Sequence, residues 1–281
     1  MILSIRYKGV FNCLLLGDIK LIWSFSMVHF FSCGFLKSTK GLFVNGGGDD
    51  TFCVPVPFFL IQHRGKNILF DTGNHGEDMH GHLQEKLVRM VCPVFQEEEL
   101  AHNAIRRVGV QPEDIDFIIV SHLHHDHAGE IGCFPNATVI VQQEEYDYVR
   151  RTDYFMNQAY YPDEAPMQGI DWYFLNGWRD DKFDLFGDGK LVIYFTPGHT
   201  IGHQSLLVKT EESGAFLLTA DACYTSENIV NGVLPGLVLD SHAYIQNLKL
   251  FRLMQKTGVT IVPGHDPVQW EKFRHAPEWY R

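Results

Sequence analysis

The sequence predicts one domain of mixed strands and helices, and three observations carry that expectation. Short apolar runs of strand length, such as Phe117-Ile118-Ile119-Val120, recur between turns rich in Gly, Pro and Asp. Stretches of helical spacing stand between them, for instance Leu100, Ala104, Ile105 and Val108 with Gly109 as a stop. Several apolar runs also end at a His or an Asp, which packing alone does not explain. At 281 residues the chain can bury a substantial core, and no internal repeat or low-complexity linker divides it. Residues 18–281 therefore read as a single domain, with residues 1–17 as an N-terminal extension.

Taken in order, Met1 to Gly17 places Arg6 and Lys8 ahead of the apolar run Val10 to Leu16. It resembles a signal peptide only loosely, because no small-x-small cleavage site follows. Leu21 to Leu36 is broken by Ser24, Ser26, His29 and Ser32, and falls short of the roughly 20 apolar residues that span a bilayer. Asp18 to Phe25 begins a strand-like pattern, whereas Phe30 to Val44 reads as an apolar loop without period. Asn45 to Asp50 is a turn by composition. Val54 to Gln62 and Lys66 to Phe70 read as strands around the turn His63-Arg64-Gly65. Glu97 to Val108 reads as a helix, followed by the strand Phe117 to Val120. Thr138 to Val141 is a strand and Gln143 to Arg151 a helix. Asp153 to Phe186 is rich in aromatics, including Tyr154, Tyr160, Trp172 and Trp178, and reads either as a lid or interface or as a surface excursion on its own core. Strands follow at Leu191 to Phe195, Ser205 to Lys209 and Phe216 to Thr219. A helix from His242 to Lys256 and a strand at Val259 to Val262 complete the chain.

Composition excludes some partners. Acidic residues number 34 against 23 basic, for a net charge of −11, and no Lys/Arg cluster offers a stripe that could displace counterions from a polyanion. No nucleic acid and no membrane partner is expected. The cysteines Cys13, Cys33, Cys53, Cys92, Cys133 and Cys223 are scattered without a CxxC pair. They read as reduced thiols of a cytoplasmic protein, none in a metal-binding position.

The chemistry concentrates in Ser121-His122-Leu123-His124-His125-Asp126-His127-Ala128-Gly129, which packs four imidazoles and a carboxylate into six positions after a buried strand. Imidazole and carboxylate are ligands that zinc and similar divalent ions accept. Three later strands end alike: Phe195 leads to His199, Thr219 to Asp221 and Val262 to His265. If the strands share sheets, these ends can meet on one rim. His122 and His124, two apart in an extended segment, can chelate one ion. Asp126 and His127 are adjacent and suit a second ion beside it. His199 can complete the first site, His265 the second, and Asp221 can bridge them, with the ions roughly 3.5–4 Å apart. His125 points away from its neighbours and is not counted as a ligand. A core or surface role is expected for His29, His63, His102, His203, His242 and His275, and a solvated loop for His75, His80 and His82.

The run His122 to Gly129 resembles the HxHxDH motif of the metallo-β-lactamase superfamily. Thr196-Pro197-Gly198-His199, Thr219-Ala220-Asp221 and Gly264-His265-Asp266 resemble its later motifs in the same order. The resemblance covers about residues 18 to 281 and implies an α+β fold, an αββα sandwich of two mixed β-sheets flanked by helices, with two divalent metal ions per chain at its edge. Zinc is the implied metal, with iron, cobalt and manganese compatible with the same donors. Within the superfamily the sequence is most similar to the N-acyl homoserine lactone hydrolases, through Gly202-His203-Gln204-Ser205-Leu206, through Tyr224 three residues after Asp221, and through Gly264-His265-Asp266. The first fifty residues match poorly.

That resemblance implies a small acyl lactone substrate, a metal-activated hydroxide as nucleophile, and a homodimer as the assembly it is compatible with. It places Tyr224 over the metal pair, where its phenol can stabilise an oxyanion, and Asp126 where it can pass a proton to the leaving ring oxygen. Asp71 is expected to orient a ligand imidazole. A glyoxalase-II-like thioesterase is the nearest alternative, but that family lacks the counterpart of Tyr224 and needs basic residues for a glutathione carboxylate. A zinc β-lactamase with a Cys ligand, a tRNA-processing nuclease with a basic arm, and a metal-free binding module all fit these residues less well.

Overall fold

Alternate side chains of the run Phe117–Ile119 point to opposite faces, and Ile118 and Ile119 are both fully buried, so apolar layers cover both faces of this strand. The computed structural model describes residues 26–80, 85–151, 159–160 and 168–281. The expected N-terminal extension and the strand-like pattern at Asp18 to Phe25 lie outside the described residues. Strands β1 (Met27–Thr39), β2 (Thr51–His63), β3 (Lys66–Phe70), β4 (Cys92–Val94), β5 (Phe117–Ile119), β6 (Thr138–Gln142) and β7 (Asp171–Leu175) form a seven-stranded sheet in the order β4-β1-β2-β3-β5-β6-β7. Pairing is antiparallel from β4 to β3 and parallel from β3 to β7. Strands β8 (Lys182–Asp184), β9 (Leu191–Phe195), β10 (Gln204–Lys209), β11 (Ala215–Ala220) and β12 (Val259–Pro263) form a five-stranded sheet in the order β12-β11-β10-β9-β8, with only β11 and β12 parallel.

Three apolar layers follow from this alternation. Phe30, Phe59, Ile61, Phe70, Ile119, Ile193, Leu206 and Leu218 fill the space between the sheets. Phe58, Leu60, Leu69, Ile118 and Val120 cover the outer face of the first sheet together with Ala101, Ala104 and Ile105. On the outer face of the second sheet, the helix Ser241–Lys256 buries Tyr244, Leu248 and Phe251 against Leu207, Leu217 and Ile261. Those helical positions follow the 3.6-residue period, and Asp240 caps the helix by accepting from the backbone amides of His242 and Ala243 at 2.9 and 3.0 Å. The layers are helix, sheet, sheet, helix.

Two expectations need correction. Phe30 to Val44 is not a loop: it holds most of β1 and a helical turn, Lys40–Phe43. The pairing of β1 with β2 shifts between Ser32 and Phe35, so Cys33 and Gly34 bulge and the two-residue period is reset there. Glu97 to Val108 is three short pieces, Glu97–Glu99, Ala101–Ala104 and Ile105–Val108, and Leu100, at φ −58° and ψ 138°, separates the first two. Gly109 stops it at φ 81°, as expected. Asp153 to Phe186 includes β7 and β8, one edge strand of each sheet; its residues 161–167 and most of those before them lie outside the described set. Among the described residues no helix is long and apolar enough to cross a membrane.

Gly34 carries a specific steric demand. Its φ is +66°, and a Cβ there would lie 2.3 Å from the Val94 carbonyl oxygen and 2.5 Å from the Phe95 Cβ. Gly34→Ala is expected to destabilise the fold by about 2–3 kcal/mol, from backbone strain and steric clash together, read as a lowered urea midpoint at unchanged m-value.

Candidate metal centre

The strand ends that carry His and Asp belong to both sheets, β5 in the first and β9, β11 and β12 in the second, and they meet along one edge of the sandwich. The chain rises out of β5 into Ser121, turns through His122 and His124, and enters the short helix His125–Ala128, whose first turn presents Asp126 and His127. His199 sits on the turn after β9, Asp221 directly after β11 and His265 two residues after β12.

These residues form two clusters. Ligand atoms of His122, His124, His199 and Asp221 lie within 4.8 Å of one another, and so do those of Asp126, His127 and His265. Asp221 stands between them. Its Oδ2 is 3.2 Å from His199 Nε2 and 3.7 Å from His122 Nε2, while its Oδ1 is 3.2 Å from His127 Nε2 and 3.1 Å from His265 Nε2. All seven residues are buried.

The donor arrangement fits divalent cations. His199 Nε2 faces His122 Nε2 at 3.2 Å and His124 Nδ1 at 3.0 Å, three ring nitrogens converging on one point. His127 Nε2 and Asp221 Oδ1 are buried with no hydrogen-bond partner. Buried polar atoms without partners are costly, and lone pairs aimed at a common point are what a cation requires. The set offers nitrogen and oxygen without sulfur, which suits several divalent metals.

Four of the five histidines have the nitrogen turned away from the clusters engaged; His124 Nε2 is buried without a hydrogen-bond partner. His127 Nδ1 meets Asp71 Oδ2 at 2.9 Å, His122 Nδ1 meets Ser121 Oγ at 2.9 Å, His265 Nδ1 donates to the Pro55 carbonyl at 2.8 Å, and His199 Nδ1 lies 3.1 Å from the Tyr224 hydroxyl. Such contacts fix ring tautomer and orientation. Asp71 also accepts from the Ser121 amide at 2.6 Å and the Ser121 hydroxyl at 2.8 Å. It does so from a left-handed backbone at φ 59°, and Ala220, just before Asp221, sits at φ 43°. Two such outliers beside one cluster are held by the surrounding packing. A Cβ at Gly264 would lie 2.9 Å from Asp221 Oδ1, so only glycine lets the β12 turn approach that closely.

Burial lowers the basicity of His122 and His124 and brings His199 down to about 4, leaving these rings neutral as ligands must be. Burial also opposes ionisation of Asp221, yet the imidazoles of His127, His265 and His199 hold its carboxyl well below the usual range. Asp126 is held down against the same burial cost, chiefly by His127 and His125. Burial, reinforced by Asp221, pushes the Tyr224 phenol well above its ordinary value.

Among the other histidines, His203 is buried beside His122, with ring centroids 5.1 Å apart, and its Nδ1 lies 2.9 Å from Thr196 Oγ1. His125 turns toward Asp78, with Nδ1 3.9 Å from Oδ2, and belongs to neither cluster. His75 Nδ1 accepts from the Glu77 amide at 3.1 Å, and His82 lies outside the described residues. Sequence reasoning missed Glu145. This fully buried carboxylate accepts from the amides of Leu123 at 3.2 Å and Gly202 at 2.9 Å and from the Tyr160 hydroxyl at 3.3 Å, tying the His122 turn to the His199 turn. It stands on a helix opening Gln143-Glu144-Glu145, and nothing in the sequence marks it out.

An apolar slot adjoins the clusters, lined by Leu36, Leu42, Phe43, Leu87, Met90 and Leu237 together with Tyr224 and Asp126. Larger clefts of about 210 and 310 Å³ beside β7 have no histidine in their walls, so size alone does not locate the chemistry.

The sequence profile of the metallo-beta-lactamase superfamily matches residues 51–265. The N-acyl homoserine lactonase AttM of Rhizobium radiobacter is 41% identical over 243 residues, which is 84% of this chain and 91% of that protein. The N-acyl homoserine lactonase AiiA of Bacillus thuringiensis subsp. kurstaki is 34% identical over 230 residues, covering 80% and 87%. A 1.4 Å structure of an N-acyl homoserine lactone hydrolase with N-hexanoyl-L-homoserine bound at its catalytic metal centre aligns with a TM-score of 0.80 at 29% identity, over 92% of this chain and all of that one. A variant of B. thuringiensis AiiA with N-decanoyl-L-homoserine at the active site aligns with the same score, identity and coverage.

Asp71→Asn keeps the shape but removes the charge that orients His127. It is expected to weaken zinc affinity about 10–100-fold, measured by competition with a chromogenic chelator.

Proposed function

The chain belongs to the metallo-beta-lactamase superfamily, and from that premise we propose that it is a metal-dependent hydrolase that opens the lactone ring of N-acyl homoserine lactones, degrading a quorum-sensing signal. The observation that carries this reading is Asp221, with one carboxylate oxygen toward each of two ligand clusters and the Tyr224 phenol beside them. His122, His124 and His199 would hold one ion, Asp126, His127 and His265 the other, and Asp221 both. Two zinc ions suit these donors, and iron, cobalt or manganese would suit them also. Bound there, the pair would lower the pKa of a shared water and polarise the lactone carbonyl.

The chain's own groups supply the rest. With His199 Nε2 directed at the cluster, its Nδ1 carries the proton and donates to the Tyr224 oxygen, leaving the phenolic hydrogen free for substrate. The raised Tyr224 pKa keeps that hydrogen in place, so Tyr224 donates to the carbonyl oxygen as negative charge develops there. Asp126, with its Oδ2 3.6 Å from His265 Nε2, would take a proton from the attacking water and deliver it to the departing ring oxygen. The slot of Leu36, Leu42, Leu87 and Met90 receives the acyl chain. Solved relatives hold products with six- and ten-carbon acyl groups at their own active sites, which supports an acyl homoserine lactone as the substrate class. We further read residues 18–281 as one catalytic unit acting in the cytoplasm, and a homodimer as its assembly, which sedimentation velocity tests.

A pH-indicator assay of zinc-loaded protein against acyl homoserine lactones, simple lactones, S-lactoylglutathione and nitrocefin tests the substrate class. Acyl homoserine lactones are expected to turn over fastest; hydrolysis of the thioester alone would instead identify a glyoxalase-II-like enzyme. Tyr224→Phe is expected to lower lactone kcat about 10²-fold at unchanged metal content, and an unaltered rate removes Tyr224 from the mechanism. Leu42→Trp narrows the slot, so kcat/KM should fall for decanoyl and hold for butanoyl substrates.

A further inference from the structure

A second kind of metal-competent cluster lies outside this centre. His102, on the helix Ala101–Ala104, meets Glu130 and Cys133, and one ligand atom from each, Nδ1 or Nε2, a carboxylate oxygen and Sγ, falls within 4.8 Å of the other two. Sequence reading assigned His102 to a structural role and no cysteine to a metal position, because 28 residues separate His102 from Glu130 and no short spacing links them. The fold brings them together. Glu130 is 2% exposed and its carboxylate pairs with His102 Nδ1. The Cys133 amide donates to the Glu130 carbonyl at 2.9 Å, a turn that sets both side chains three residues apart. Cys133 reaches the surface and His102 is half-buried, so an ion has a route in.

We propose that His102, Glu130 and Cys133 form a further metal site, sulfur-containing and specific for zinc or a similarly thiophilic divalent ion, with its fourth position open to water. The three donors are of the types zinc accepts, and three protein ligands with one water is a common zinc arrangement. Charge also balances: a neutral imidazole, a carboxylate and a thiolate carry two negative charges against the two positive charges of the ion. Binding displaces the Cys133 proton and any proton on His102 to solvent, with no redox change.

The position gives the site a structural consequence. Thr72 accepts the Glu130 amide on its hydroxyl at 3.0 Å, and its own amide and hydroxyl both donate to the His127 carbonyl, at 2.7 and 3.2 Å. An ion held by Glu130 therefore braces the turn that follows Asp126 and His127 without touching either side chain.

The sulfur ligand makes the test separable from the lactonase reading, because the seven residues of the main centre include no cysteine. The full chain loaded with Co2+ alone is expected to show a near-ultraviolet thiolate-to-cobalt charge-transfer band, which Cys133→Ser abolishes while lactone turnover persists. Zinc content after gel filtration should fall by one equivalent per chain in Cys133→Ser and likewise in His102→Ala, which guards against a folding defect in either variant. Absence of the band, its survival in Cys133→Ser, or equal zinc content in all three proteins would overturn the proposal.

Discussion

Asp221 is the constraint on which the rest of the structure depends. Its two oxygens face two imidazole clusters at 3.1–3.7 Å, so β11 must end within a few tenths of an ångström of its place relative to β5, β9 and β12. Against the cost of burial, this carboxylate is kept ionised by the imidazoles of His127, His265 and His199. Two sheets, rather than one, supply those groups. The apolar layer between the sheets therefore sets the geometry of the site as well as contributing to stability.

The backbone bears the cost of this precision. Asp71 and Ala220 adopt left-handed conformations that a residue with a Cβ rarely takes, and Gly264 is pressed against Asp221. Strain of about 1–3 kcal/mol at each outlier persists only where the surroundings over-determine it. Here they do. Asp71 accepts two hydrogen bonds from Ser121 and pairs with His127, and β11 is clamped between β10 and β12. Glu145 adds a second clamp, since its carboxylate joins the two turns that carry His122 and His199. The ligand rings are thereby positioned by backbone hydrogen bonds at some distance from the ions they would hold.

Much of the fold was legible where the chain has one clear period. Strands such as Lys66 to Phe70 and Leu191 to Phe195 and the helix ending at Lys256 fall where their patterns place them. Legibility failed where two demands overlap. In β1 a bulge at Cys33 and Gly34 resets the alternation while both faces stay buried, so a strand imitates an apolar loop. At Leu100, burial of one side chain interrupts a helical pattern that reads as continuous. Residues announced by motif were identifiable, whereas Glu145, the link from Ser121 to Asp71, and the His102–Glu130–Cys133 group outside the centre were not, because each depends on contacts between residues distant in the chain.

The sequence by itself offered the candidate ligand types, their order and the strand ends on which they sit, because a His or Asp at the mouth of a buried strand has no packing explanation. Asp71 stands at such a strand end too, while Tyr224 was marked by the family resemblance. Tertiary structure alone decided which oxygen of Asp221 faces which cluster, which ring nitrogen points inward, and which carboxylates hold the turns in place. The reason is physical. Ligand chemistry belongs to the side chain and travels with the sequence, whereas the direction of a lone pair is set to within a few tenths of an ångström by neighbours that packing brings from elsewhere in the chain.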